Sequence, residues 1–343
     1  MVNPFLIEVT RGSLIESRHR GGVAIVDADG TPVLSLGDVE RRVYPRSAVK
    51  AIQALPLVES GIADRFGLSD VEIALTCASH SGEEKHAATA ASILAKAGRD
   101  ASCLECGAHW PSGEAANRAL AATGGQPSAL HNNCSGKHSG FICLSCGLDE
   151  DPKGYVTAQH LVQKTVRRVL EDLTGAPHTE AERGTDGCSI PTYAIPLSAL
   201  ALGFARFGTG DGLSGERRIA AGRIRRAVAQ HPFMVAGTDR FDTKLMECLG
   251  ERAFVKSGAE GVYCATLPEL GYGIALKIDD GTPRASAVVM ATLIQHLLSL
   301  SDVERTQVEA LARPVLKNWN GIEVGHVQPG AALLRSFPKR YDS

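Results

Sequence analysis

AFVKSGAEGVYCATLPELGYGIALKIDDGTPRA, residues 253–285, decides the fold. Short apolar runs alternate here with glycine-bearing turns at Gly258–Gly261 and at Asp279-Asp280-Gly281, the pattern of hairpin-linked strands. SAVVMATLIQHLLSL, residues 286–300, follows with apolar residues at helical spacing and closes the segment as an amphipathic helix. The same strand pattern opens the chain. FLIEVTRG (5–12), RGGVAIVDADG (20–30) and TPVLSLGD (31–38) alternate apolar and polar positions around an Asp-Ala-Asp-Gly turn. Strands at both ends imply one antiparallel sheet built from both termini, with a helical region inserted between them. The fold class is therefore α/β of the α+β type. A single domain over 1–343 is expected, with a sheet lobe near 1–45 and 253–300 and a helical region near 46–252.

The middle reads differently. At Pro45 the period changes, and SAVKAIQALPLVESG (47–61) carries apolar residues at helical spacing up to Gly61. VEIALTCAS (71–79) is a short buried segment, and Ser81 with Glu84 has the spacing of a capping box before an Ala-rich helix. Ala- and Leu-rich helical pattern, broken by Gly/Pro loops, continues to about residue 250. No internal repeat stands out.

Composition narrows the function classes. In 343 residues, 44% are hydrophobic and 22% charged, which fits a globular enzyme and not a disordered chain. A net charge of −2 gives no global attraction to nucleic acid or anionic lipid. The most basic stretch, Arg217, Arg218, Arg223, Arg225 and Arg226, reads as a solvated helix face. No apolar run reaches the roughly 18 residues of a membrane span, and MVNPFLIEVTRG lacks the pattern of a signal peptide. Nine cysteines with no sign of export point to reduced thiols in the cytoplasm, some of them possible metal ligands.

Ser47-Ala-Val-Lys50 places a serine and a lysine on one face at the start of a helix. A neutral lysine amine can take the serine proton, and a helix N-terminus favours the negative charge that develops. Spacing alone does not distinguish this pair from Ser336-Phe-Pro-Lys339 in the proline-bearing tail; the strand, Pro45-Arg46 turn and helix around Ser47 do. Lys256-Ser257-Gly258 follows the apolar pair Phe254-Val255 and resembles the Lys-Thr/Ser-Gly strand motif, whose glycine allows close approach. Ser79-His80-Ser81 falls between the two. Serine β-lactamases and penicillin-binding proteins have the order Ser-x-x-Lys, Ser-x-Asn, Lys-Thr-Gly; this chain keeps the order and has Ser81 in place of the asparagine.

HNNCSGKH (131–138), CGAHWPSGEAA (106–116), TDGCSIPTY (185–193) and VKSGAEGVY (255–263) are similar to the L-asparaginase II family of rhizobial type, on the serine β-lactamase/penicillin-binding-protein-like fold. The resemblance runs to about residue 300, and HNNCSGKH is its most specific segment. It implies hydrolysis of L-asparagine to L-aspartate and ammonia, a zinc site at Cys134, Lys137 and Cys188, a second serine–lysine pair in Ser79 and Lys256, and a homodimer. Thiolates suit zinc, and a neutral amine can complete the shell; the expected role of the ion is structural or substrate-positioning.

The reaction expected is an acyl-enzyme route in which Ser47 attacks the side-chain amide and Lys50 accepts its proton. By analogy with the wider fold, the oxyanion lies between the backbone N–H groups of Ser47 and Ala259. Arg46, Asn133, His138, Asp186 and Glu260 are candidates for substrate contact, since a substrate carboxylate needs a cation and its ammonium an acid. Which serine–lysine pair carries the attack stays open. Cys103-x-x-Cys106 and Cys143-x-x-Cys146 are too far apart for a zinc ribbon, and Gly210-Asp-Gly-Leu-Ser-Gly215 follows a helix-like run, as a helix-linking loop would. The alternatives are a glutaminase or β-lactam-processing enzyme of the same fold and, from another class, a non-enzymatic zinc-binding interaction protein using the Cys-x-x-Cys pairs.

Overall fold

The computed structural model describes residues 2–337. Strands from both ends of the chain form one antiparallel sheet, and the segment between them is mainly helical. Across the sheet the order is Val315–Lys317, Glu323–Pro329, Phe5–Arg11, Leu14–Val26, Tyr272–Ile278, Val262–Leu267 and Phe254–Ser257, with Pro32–Leu36 also paired to Leu14–Val26. The central register sets Ile274 opposite Ile25 and Ala275 opposite Ala24, a seam of buried apolar side chains. Strand Val262–Leu267 is buried at every position, because helices Leu197–Thr209 and Pro283–Leu297 both pack on this part of the sheet. A Cβ on Gly273 would come within 2.0 Å of the Ala201 carbonyl oxygen, so only glycine lets helix Leu197–Thr209 lie this close.

The helical region is organised by Ser135–Gly147, whose residues from Ser135 to Ser145 are all buried. A helix buried on every side belongs at the centre of a bundle, and its polar residues there must find partners inside it. Its crossing with helix Asp70–Thr76 is tight: a Cβ on Gly136 would lie 2.3 Å from the Leu75 carbonyl oxygen. The glycine in HNNCSGKH is what brings the N-terminus of this helix against the chain leaving residue 76.

Several expectations change. The sheet continues past residue 300, where capping-box helix Asp302–Ala312 leads into strands Val315–Lys317 and Glu323–Pro329. The turn at Asp279-Asp280-Gly281 starts helix Pro283–Leu297, and the tight link between the last two strands of residues 253–285 is instead Pro268–Leu270 with Gly271 at φ 71°. VEIALTCAS lies mostly in helix Asp70–Thr76. Ser81 does not cap the Ala-rich helix Glu84–Lys96; its hydroxyl donates to Glu83 Oε1 at 2.6 Å. The arginines of helix Gly215–Gln230 are partly tied down: Arg217 bonds Glu59 and Asp172, Arg223 bonds Asp64, and Arg225 donates to the Phe207 carbonyl. Gly210–Gly215 does link two helices. Among the described residues, no helix is long and apolar enough to cross a membrane.

Candidate active site

Ser47 lies in a single 3-10 turn, Arg46–Val49, that runs straight into helix Lys50–Gln53. Arg46 before it has φ 51°, a left-handed conformation that L-residues other than glycine seldom adopt. The end of strand Phe254–Ser257 abuts this turn. A Cβ on Gly258 would sit 2.8 Å from the Pro45 carbonyl oxygen and 3.3 Å from the Ala48 nitrogen. The Lys-Ser-Gly motif and the Ser47 turn are therefore in contact, and the exposed turn carrying Ala259 and Glu260 follows directly. Glu260 has φ 58°, and its carbonyl accepts from Lys277.

Ser79 is held by its backbone: its N–H donates to the Val235 carbonyl at 2.9 Å, and the next N–H, of His80, to the Asn133 carbonyl at 3.2 Å. Lys50, 1% exposed, sends its amine into this corner. Nζ is 2.6 Å from the Ala78 carbonyl oxygen, 2.9 Å from Ser79 Oγ and 3.1 Å from Cys134 Sγ. The structure thus sets Lys50 on Ser79, the serine of the second pair, and the contacts of its amine do not include Ser47 Oγ.

Lys256 is fully buried; Nζ donates to the Ser257 carbonyl at 2.7 Å and lies 3.8 Å from Asp242 Oδ2. Its amine is drawn down to about 8, chiefly by burial, with Asp242 acting in the opposite direction and Lys50 in the same one.

Cys134, Lys137 and Cys188 come together on the other side of Lys50. Lys137 Nζ is 3.0 Å from Cys188 Sγ, and the two thiols hydrogen-bond each other. That bond holds Cys134 well below the ordinary thiol range, helped by Lys50 and Lys137 against burial, while Cys188 is pushed up. Burial works against the Lys137 ammonium, but the two thiols outweigh it and raise its pKa. Arg46 donates to Asp186 Oδ1 from Nε at 3.0 Å and from Nη2 at 2.8 Å. Burial raises the Asp186 carboxyl; the bonds from Arg46, the charge of Lys137 and the Gly187 N–H more than reverse this. A polar chain results, from Lys137 through Cys188 and Cys134 to Lys50 and Ser79, with the Arg46–Asp186 pair acting on Lys137 through its charge. Its lysines and cysteines are buried, whereas Arg46, Ser47 and Ser79 are half-buried and reach its open side.

The remaining candidates are placed as follows. The Asn133 N–H bonds His109, while it is Asn132 that buttresses the segment, with its amide on the Cys106 and Gly107 carbonyls and Oδ1 accepting the Cys134 N–H. His138 is completely buried, with Nδ1 at 2.6 Å from the Tyr155 hydroxyl and, among the described residues, no partner for Nε2. The Tyr155 hydroxyl also accepts the Glu105 N–H at 3.0 Å. The Cys-x-x-Cys thiols are engaged elsewhere, Cys106 on the Ala129 carbonyl and Cys143 on that of Ile93. Among the described residues, no group of three or more His, Cys, Asp or Glu is placed to hold a metal; the Cys134–Cys188 set has lysine as its third member. Ser336 bonds the Leu333 carbonyl, and Lys339 lies outside the described residues. Sequence reasoning missed Asp242. It carries no motif, and only the fold shows it under Lys256.

A family model described as L-asparaginase II matches residues 7–329. No curated protein matches the chain. Among solved structures, a β-lactamase from Mycobacterium bovis is similar at 12% identity, covering 79% of this chain and 94% of that one, with a TM-score of 0.39.

Proposed function

The chain belongs to the L-asparaginase II family and is an L-asparaginase, an amidohydrolase acting on asparagine; on that premise we propose that it works through a serine acyl-enzyme formed on Ser47. The carrying observation is the Lys50 amine, one helical turn from Ser47 and 2.9 Å from Ser79 Oγ. Ser47 Oγ attacks the side-chain amide carbon, and Lys50 in its amine form takes the hydroxyl proton. Ser79, bonded to Lys50 and paired in this reading with a neutral Lys256 amine that can take and return its proton, passes a proton to the nitrogen as the C–N bond breaks and ammonia leaves. Water then attacks the ester, and the same groups run in reverse to release aspartate. Ser47 and Ala259 N–H groups stabilise the oxyanion, a reading supported by the Gly258 contact with the Ser47 turn.

Arg46 and Asp186 hold each other at the mouth of the site, where a cation and an acid suit the carboxylate and ammonium of the substrate. Asn133, His138 and Glu260 belong to the same proposed substrate group. The rhizobial-type motifs and the donor set support zinc at Cys134, Lys137 and Cys188: two thiols and an amine meet in a buried cluster, and a cation would replace the proton that the thiols share. When bound, the ion supplies positive charge that orders this loop and orients substrate. Cys134 and Lys137 would then fix the start of helix Ser135–Gly147, and with it the wall of the site that Lys50 touches.

One observation favours a second reading. Because Lys50 rests on Ser79, that serine is the alternative nucleophile, with Ser47 as the relay. Ammonia release from asparagine separates these possibilities from metal-dependent chemistry. Ser47→Ala is expected to lose at least about 10³-fold in kcat, and Cys188→Ala to lose bound zinc while keeping measurable turnover. Near-normal Ser47→Ala turnover together with a dead, metal-free Cys188→Ala protein would overturn the serine mechanism.

A further inference from the structure

The side chain beneath Lys256 carries a separate role. Asp242 sits in the first turn of helix Phe241–Leu249 and is 3% exposed. A buried carboxylate is costly unless donors surround it. Here Oδ2 accepts the Ser257 N–H at 3.2 Å and the Ser257 hydroxyl at 2.8 Å, while Oδ1 takes the Tyr263 hydroxyl. All three donors come from the hairpin that carries Lys256, so the helix is fastened to the Lys-Ser-Gly strand through this one group.

The spacing is informative. With Oδ2 already occupied by two Ser257 donors, the Lys256 amine stays at 3.8 Å, beyond hydrogen-bond range and within range of the charge. A close ion pair would lock the amine as an ammonium; no nearby anion would leave a buried amine with little affinity for a proton. We propose that Asp242 is the positioning residue of Lys256, holding its amine at the strand end and setting the pH range over which it exchanges a proton during asparagine hydrolysis.

The groups that face Lys256 from the surrounding elements are few. Lys50 and Arg240 are cationic, Cys134 is engaged by Lys50 and Cys188, and the thiols of Cys77 and Cys264 are pushed up by burial, Cys77 to about 12. Cys77 and Cys264 therefore stay uncharged, and Asp242 is the stronger of the two anions, with Cys134, that act on the amine.

This inference rests on the reading that Lys256 takes part in the reaction, so the experiment includes Lys256→Met. The measurement is kcat/KM for asparagine against pH in the zinc-replete enzyme. Removing a carboxylate within about 4–6 Å of an amine lowers its pKa by about 1–3 units, so in Asp242→Asn the acidic limb should move down by about that much. Tyr263→Phe, which leaves the charge but removes a donor from it, should move the limb a smaller distance up. A merely structural Asp242 would reduce kcat at every pH and leave the limb in place. Should Asp242→Asn fail to fold, Tyr263→Phe decides alone: an unmoved limb overturns the proposal and an upward shift supports it. Normal turnover by Lys256→Met would instead refute the role of Lys256. An inactive Lys256→Met beside an Asp242→Asn protein with the wild-type limb would refute the role of Asp242 alone.

Discussion

Lys256 has a buried amine with a pKa drawn down to about 8, and this gives the enzyme a pH dependence with a definite sign. The proton-accepting form is the neutral amine, which is populated above that value and lost below it. Asparagine kcat/KM should therefore rise through an acidic limb near 8 and favour alkaline pH, as a pH–rate profile in constant ionic strength would show. A profile flat from neutral to alkaline pH would remove Lys256 from the titrating groups. At this scale the sequence was informative where residue type and spacing coincide with chemistry, as at Ser47 and Lys50; Cys134, Lys137 and Cys188 became candidates only through the resemblance of HNNCSGKH and TDGCSIPTY to the family. It was silent where a role depends on tertiary contact. Lys50 resting on Ser79, Arg46 paired with Asp186, and Asp242 under Lys256 join residues at least 14 positions apart, and no local pattern encodes those distances.

Elements place these residues, and glycines decide how closely the elements meet. Gly258 packs the end of strand Phe254–Ser257 against the Ser47 turn, leaving 2.8 Å between a hypothetical Cβ and the Pro45 carbonyl oxygen. A backbone atom cannot swing aside as a long side chain can, so Gly258→Ala must push strand and turn apart. Since a displacement of about 1 Å at a reacting centre can cost about 10²-fold, Gly258→Ala should lower kcat on that order while leaving most of the thermal stability; steady-state kinetics and a melting curve check this. Wild-type kcat in that variant would mean that the contact does not position the reacting groups. The glycine of Lys-Ser-Gly was legible as a site of close approach, but the surface it approaches was not. Element type failed where the competing structure was nonlocal: Ser81 has the spacing of a helix cap, yet its hydroxyl is taken by Glu83, on the loop that Gly237 crosses.

For the whole molecule, strands near both termini close one antiparallel sheet around a helical middle, and that arrangement could be read from the return of period-two alternation after residue 253. The last two strands were unread because Val315–Lys317 is short and only Gly325 and Val327 of Glu323–Pro329 are buried, so neither shows a long apolar run. This topology brings residues 47, 79 and 256 to one place, which is why three weak motifs in order meant more than any one of them. The central claim is that Ser47 is acylated, and mass spectrometry on enzyme quenched during turnover of asparagine or a slow ester analogue tests it most directly. The account predicts an aspartyl or analogue adduct on the peptide containing Ser47, absent in Ser47→Ala; an adduct on the Ser79 peptide, or none in an enzyme turning over at full rate, would contradict it.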